Sequence, residues 1–307
     1  MNYSDYRYKI PEGKMIRLIV DTDAHNEGDD QYAIAHALLS PRFDVRGIVA
    51  AHYGERKSDH SMEESYEEVL RVLDSMDFPR EFAYRGTPHA IGRGDPAQVA
   101  PGVQLIIDEA MKETDVPLYV VNLGPLTDVA RAFQLRPEIR DRLTVVWIGG
   151  GEYPKGGAEY NLWNDIPAAR LVFESDLTVW QVPRNAYGEV VVSLAELEDK
   201  VYPCGRMGRY LFNELHEYGH TSWALQTNRN GEFWRLGDSP AVGVLLFPHD
   251  GMWEMRPAPS FCDDMTYREN PNPHEIRVYS HVDTRVTMED MFAKFRLFAK
   301  RRGEYQP

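Results

Sequence analysis

The chain has 307 residues, 43% of them hydrophobic, which is enough for one large α/β domain or two small ones. A formal net charge of -14 argues against non-specific binding to nucleic acid or to an anionic membrane, while leaving a small uncharged ligand open. Cys204 and Cys262 give no metal spacing and no disulfide framework, residues 1–14 carry no apolar leader, and no apolar run spans a membrane, so a cytoplasmic protein is expected.

Residues 15–20 are apolar and partly β-branched and predict a buried strand. Residues 31–39 predict a helix from Ile34, Ala35, Ala37, Leu38 and Leu39. Between them, Asp21, Asp23, Glu27, Asp29 and Asp30 crowd into one strand-to-helix turn. Such turns lie at the carboxyl ends of the strands in an α/β sheet, where ligands bind. Aspartates also cap helices in solvated turns. This many carboxylates in one turn points instead to a hard, oxygen-seeking cation such as Ca²⁺ or Mg²⁺.

A second strand is predicted over 43–51, ending in His52-Tyr53-Gly54-Glu55. Ser61, with Glu64 three residues on, predicts a capping box at the head of a helix over 61–76. A short strand over 81–84 and a Gly- and Pro-rich loop over 85–101 follow. Helix is predicted over 103–111, strand over 116–121, helix over 128–135 and strand over 144–148 before Gly149-Gly150-Gly151, which is neither a dinucleotide fingerprint nor a P-loop. Residues 165–173 predict a helix with Pro167 in its first turn, and 178–182 a strand. Beyond Pro183 the pattern reads as mostly helical to 247, with a loop at 228–231; 254–273 reads as loop, 276–280 as strand and 288–299 as helix. The alternation predicts a parallel sheet with helices on both faces, and the lack of repeats or a linker predicts a single domain over 1–307.

Polar groups at several strand ends could converge: Asp23, Asp29, Asp30, His52, Glu55, Asn122, Glu159, Asn161, Asn185 and, opening an apolar helix, Asp238. Taken alone, Asp238 reads as a helix cap and Asn161 as a turn residue.

Five segments in order resemble the nucleoside hydrolase family, the calcium-dependent N-ribohydrolases of the inosine-uridine-preferring type. Asp21, Asp23, Asp29 and Asp30 are similar to its Asp-x-Asp-x-x-x-Asp-Asp motif, with two extra residues before the third aspartate. Leu123-Gly124-Pro125-Leu126-Thr127-Asp128-Val129-Ala130 resembles its Thr-Gly-Pro-Leu-Thr-Asn-Ile-Ala segment, and Val146-Trp147-Ile148-Gly149-Gly150-Gly151 its strand and glycine turn. Glu159-Tyr160-Asn161 with Asp165, Ala168 and Ala169, and Gly237-Asp238-Ser239-Pro240-Ala241-Val242, resemble two later segments.

The resemblance implies an open, mostly parallel Rossmann-like sheet. It implies hydrolysis of the N-glycosidic bond of a ribonucleoside or similar ribosyl compound to free base and ribose, by a metal-activated water. Ca²⁺ would be the cofactor and the assembly a homodimer or homotetramer. Asp23 would bind the metal and act as base. Asp30, the main-chain carbonyl of Leu123 and Asp238 would complete the metal site. Asp29, Asn161, Glu159 and Asp238 would hold ribose hydroxyls. The chain departs from the family at three places. The insertion brings Asn26 and Glu27 to the metal or the sugar, and the family's asparagine after the second strand falls near Gly54 or Glu55. Gly237 stands where pyrimidine-active members carry a histidine that protonates the leaving base. His25 and His52 are alternative acids, and Trp223, Phe233 and Trp234 are candidates for stacking on a base. Two other readings stay open: a hydrolase of the same fold acting on a non-nucleoside glycosyl compound, and a non-catalytic nucleoside- or sugar-binding protein.

Overall fold

The computed structural model describes residues 6–93, 97–227 and 231–306. The sequence alternates strand and helix through the first two-thirds. In order run β1 (Ile16–Thr22), α1 (Asp30–Leu38), β2 (Phe43–Ala50), α2 (Ser61–Ser75), β3 (Ala83–Arg85), α3 (Pro101–Ala110), β4 (Leu118–Asn122), α4 (Thr127–Leu135), β5 (Leu143–Ile148), α5 (Tyr160–Asn164), α6 (Ile166–Phe173) and β6 (Thr178–Val182). Then come α7 (Arg184–Tyr187), β7 (Val191–Ser193), α8 (Leu194–Lys200), α9 (Gly205–Tyr218), α10 (Ser222–Thr227), β8 (Phe233–Arg235), α11 (Ser239–Leu246), β9 (Trp253–Pro257), β10 (Ser260–Phe261), β11 (Tyr267–Arg268), β12 (Glu275–Tyr279) and α12 (Thr284–Arg302).

An eight-stranded sheet in the order β3-β2-β1-β4-β5-β6-β12-β9 forms the centre. Every neighbouring pair is parallel except β12 with the edge strand β9. The predicted mostly parallel sheet is therefore the observed one. Side chains of successive strand residues point to opposite faces. Leu18, Val20, Val121 and Val146 join one core, with α1, α2, α9, α11 and α12. Ile19, Val120, Val145 and Trp147 join the other, with α3, α4 and α6. Burial on both faces is why β1 reads as one apolar run rather than as an alternation.

β1 lies between β2 and β4, where the strand order reverses. The crevice beyond the carboxyl ends of β1 and β4 is thus the topological switch point of the sheet, the usual ligand position in this architecture.

Several local expectations are corrected. The capping box at Ser61 does not form: His60 holds the N-cap position and α2 has no side-chain cap. Ser61 lies one residue inside the helix, and Glu64 instead accepts hydrogen bonds from Tyr53 and, at 2.9 Å, from Ser58. The stretch 183–247 is mostly helical, as read, but β7 and β8 within it pair as a short antiparallel ribbon. The stretch read as loop over 254–273 contains β9, β10 and β11. β9 is largely exposed, so it has no apolar alternation to read. Residues 228–230 of the expected loop lie outside the described residues. Among the described residues no helix is long and apolar enough to cross a membrane.

Candidate active site

The acidic turn after β1 folds inward rather than into solvent. Asp21, Asp23, Asp29 and Asp30 are all buried, and so is Asp238 at the head of α11. Asp29 and Asp238 occupy N-cap positions, yet neither side chain caps its helix. The helix-capping reading of Asp238 is thereby replaced: its carboxylate turns to the cluster. Oxygens of Asp29, Asp30 and Asp238 lie within 4.8 Å of one another, an arrangement able to hold a metal ion.

Asp23 stands beside them, and its Oδ2 is buried with no hydrogen-bond partner among the described residues. Burial pushes its pKa well above the usual carboxylate range, and the charges of Asp30, Asp29 and Glu27 push it further. Asp238 is raised in the same way by burial and by Asp29, Asp30 and Asp23. Thr22 Oγ1 donates to Asp30 Oδ1 at 2.5 Å, anchoring that carboxylate from the end of β1. An all-oxygen, buried set of like charges is costly unless a cation balances it, so the residues fit a hard divalent ion. Gly124, after β4, makes room for the cluster: a Cβ there would sit 2.9 Å from Asp23 Cγ.

Behind this layer, Asn122 Nδ2 donates to Asp21 Oδ2 at 2.6 Å across the β1–β4 pairing. Asn161 Nδ2 donates to the carbonyls of Leu123 (2.6 Å) and Ile148 (2.8 Å), so it fixes the peptide named as a metal ligand. Glu159 accepts from the amides of Gly150 (2.8 Å), Leu162 (2.9 Å) and Asn161 (3.2 Å) and from the Tyr187 hydroxyl (3.0 Å). Its carboxylate therefore caps α5 and ties the glycine turn to α7. Asn26 is buried, and its Oδ1 accepts from Lys57 Nζ at 2.7 Å. Burial raises the pKa of Glu27, against the opposing charges of Lys57 and Arg235.

Other candidates go elsewhere. His52 is locked as a neutral imidazole: its Nδ1 accepts from the Gly54 amide at 3.1 Å, and its Nε2 donates to Thr127 Oγ1 at 2.8 Å, which donates to Asp165. Burial holds its pKa down at about 4. Glu55 pairs with His89 and Arg93. Asn185 Nδ2 reaches the Ser280 carbonyl at 3.3 Å. His25 is exposed on the inserted loop, 3.5 Å from Arg71. Trp234 packs on the core and meets Tyr218 edge-on at 5.5 Å.

Three residues were missed at the level of sequence. Tyr187 fills the space beside Gly237, where a Cβ would come 3.1 Å from its ring. The Tyr218 hydroxyl is buried with no partner among the described residues and feels the charges of Glu27, Asp29 and Asp23. Lys57 lies over the rings of Tyr160 (5.1 Å) and Trp223 (4.9 Å). Single tyrosines and a lone loop lysine carry no spacing signal, so nothing in the sequence singles them out.

The chain has known relatives in sequence and in fold. The family model for inosine-uridine preferring nucleoside hydrolase matches residues 18–293. The pyrimidine-specific ribonucleoside hydrolase RihA of Salmonella typhimurium is 26% identical over 207 residues, covering 59% of this chain and 64% of RihA. The match thus spans just under two thirds of that relative's length. A purine-preferring ribonucleoside hydrolase from Gardnerella vaginalis superposes with a TM-score of 0.76 at 21% identity, covering 93% of this chain and 99% of that one. An inosine-uridine preferring nucleoside hydrolase from Bacillus anthracis superposes with a TM-score of 0.64 at 14% identity, covering 94% and 100%. With the family match running through nearly all of the sheet and both sides of the carboxylate cluster, the chain belongs to the inosine-uridine preferring nucleoside hydrolase family.

Proposed function

We propose that the protein hydrolyses the N-glycosidic bond of a ribonucleoside, releasing base and ribose, with calcium as its metal. The observation that carries this is the buried Asp23, Asp29, Asp30 and Asp238 cluster at the switch point, with an Asp23 Oδ2 that has no partner among the described residues. Asp23, Asp30, Asp238 and the Leu123 carbonyl would hold the ion. When bound, calcium supplies Lewis acidity toward a water and offsets the carboxylate charge.

Breaking this bond places positive charge on the sugar ring, as in glycoside hydrolysis generally. The carboxylates beneath the ring stabilise that charge. Asp23 would take the proton of the attacking water, since its Oδ2 is buried with no hydrogen-bond partner among the described residues and so is free to meet that water. Asp29, Asp238 and Asn26 meet ribose hydroxyls. Asn161 and Glu159 line the same end, and their extensive hydrogen bonding to the main chain favours a positioning share in that role. With no enzyme nucleophile, a single water attack inverts the anomeric carbon. A cytoplasmic setting belongs to this reading, and a homodimer or homotetramer is the assembly to test by light scattering.

The test is a reducing-sugar assay on purine and pyrimidine nucleosides with calcium and with chelator. Ribose release that chelator abolishes is the expected result. Asp23→Asn lowers kcat/KM by more than about 100-fold; an active Asp23→Asn enzyme overturns the assignment of the base. A second reading, hydrolysis of a non-nucleoside riboside, is favoured by Glu27, whose charge is felt at Asp29 and Asp23. Activity on such ribosides with none on nucleosides selects it.

A further inference from the structure

Cleavage at the anomeric carbon separates charge. The sugar becomes positive and the departing group becomes negative. The floor of the site answers the first of these with carboxylates. The sequence position that could answer the second, Gly237, has no side chain, and the Tyr187 ring closes the space a side chain there would use. His52 is neutral, with both nitrogens engaged. The Tyr218 hydroxyl is a poor acid, because burial and the nearby carboxylates push its pKa up.

Lys57 lies on the opposite rim. The residue is exposed on the loop after β2, but its ammonium turns inward. Its charge is felt at Glu27 and at the buried Asp23 carboxylate. One N–H goes to Asn26 Oδ1 at 2.7 Å, and the approach to the Asn26 carbonyl at 3.4 Å is weak. An ammonium has three N–H donors, so a donor remains for a ligand. Tyr160 and Trp223 present their ring faces to it. An ammonium beside aromatic faces is complementary to a flat ring that gains negative charge as its bond breaks. Burial lowers the Lys57 pKa, which Glu27 and Asp23 oppose.

We infer that Lys57 is the proton donor to the leaving group, held at the rim by Asn26, Tyr160 and Trp223. This rests on the reading of the site as an N-ribohydrolase. The C1′–N bond breaks with its electron pair passing to the leaving ring. The Lys57 ammonium gives that ring a proton and becomes an amine. The water oxygen bonds to C1′, and its proton passes to Asp23. Lys57 regains a proton from solvent along its exposed side, and Asp23 returns its own to solvent.

The test compares two leaving groups in the intact protein with calcium. Nucleosides have poor leaving groups, whereas p-nitrophenyl riboside releases a stable phenolate that needs little help. Lys57→Met is expected to lower kcat/KM on nucleosides by about 100-fold, the usual scale of general acid catalysis, and on p-nitrophenyl riboside by less than about threefold. Lys57→Arg keeps the charge but is a far weaker acid, so its loss is expected to follow the same order between the two substrates. Equal losses on both substrates, or no loss on either, overturn the assignment and leave Lys57 as a clamp between loops. An unmutated enzyme inactive on both substrates instead overturns the N-ribohydrolase reading, and the role of Lys57 with it.

Discussion

Gly124 illustrates how tightly single positions are set around the cluster. Its missing Cβ is what lets the turn after β4 pass beside Asp23, since a Cβ there would come 2.9 Å from Asp23 Cγ and 3.1 Å from Asp23 Oδ1. Gly124→Ala must displace the carboxylate or the peptide that carries the Leu123 carbonyl. We expect at least a tenfold loss of kcat/KM, since misplacing a catalytic group by about 1 Å costs on the order of 100-fold. Thermal unfolding of the same variant is expected to show a loss of about 1–3 kcal/mol, the usual scale for overpacking. Gly237 obeys the same logic on the other wall, with Tyr187 in place of a side chain. Such residues explain what the sequence conveys and what it conceals. Asp23, Asp29 and Asp30 are legible because acidic residues gather at one strand end, whereas Asp238, alone at a helix head, is legible only through the family resemblance. Tyr187 and Lys57 are not, because their relevance comes from which loops lie opposite them.

At the scale of elements, α1 is held against α12 by a partly buried polar contact. His36 Nε2 lies 2.7 Å from Asp290 Oδ2, and Lys294 donates to Ser40 Oγ at 2.8 Å and to Asp290. Burial holds the His36 pKa down at about 4, and His36 and Lys294 hold Asp290 down at about 2 against its own burial. A depressed histidine pKa stabilises the fold above its unfolded value near 6.5, and that contribution is lost as pH falls toward 4. The corresponding loss from Asp290 comes lower, between about 3.8 and 2. Denaturant titrations of His36→Gln and the unmutated protein should therefore converge as pH drops from 6.5 to 4, by about 3 kcal/mol at most. Parallel curves across that window would show that His36 does not titrate there. The elements themselves were legible where burial on both faces made continuous apolar strands. β7, β8 and β9 were not, since three-residue strands and an exposed edge show no period. The capping box failed for a related reason: a motif marks a helix start only if the chain begins the helix at that residue, and here it begins one earlier.

For the whole molecule, Asp23, Asp29, Asp30 and Asp238 bring buried carboxylates together at one crevice. A cation that binds the folded cluster and not the unfolded chain raises stability by mass action, about 2.7 kcal/mol at a hundredfold excess over its dissociation constant. Calcium is therefore expected to raise the unfolding temperature by roughly 5 °C at that excess. Asp238→Ala is expected to remove the shift, and an unchanged shift would place the ion elsewhere.

The switch-point position of β1 has a further consequence for how the molecule assembles. Its carboxylates leave the ribosome well before Asp238 and the helix behind it, with most of the parallel strands made in between. The crevice is built from contacts that are remote in sequence, and remote contacts close late in folding. Interactions absent from the transition state govern unfolding rather than refolding. Stripping calcium should thus accelerate unfolding in stopped-flow jumps while the refolding arm hardly moves. In that sense a bound ion would act as a kinetic lock, set only once the head of α11 has joined the loop after β1.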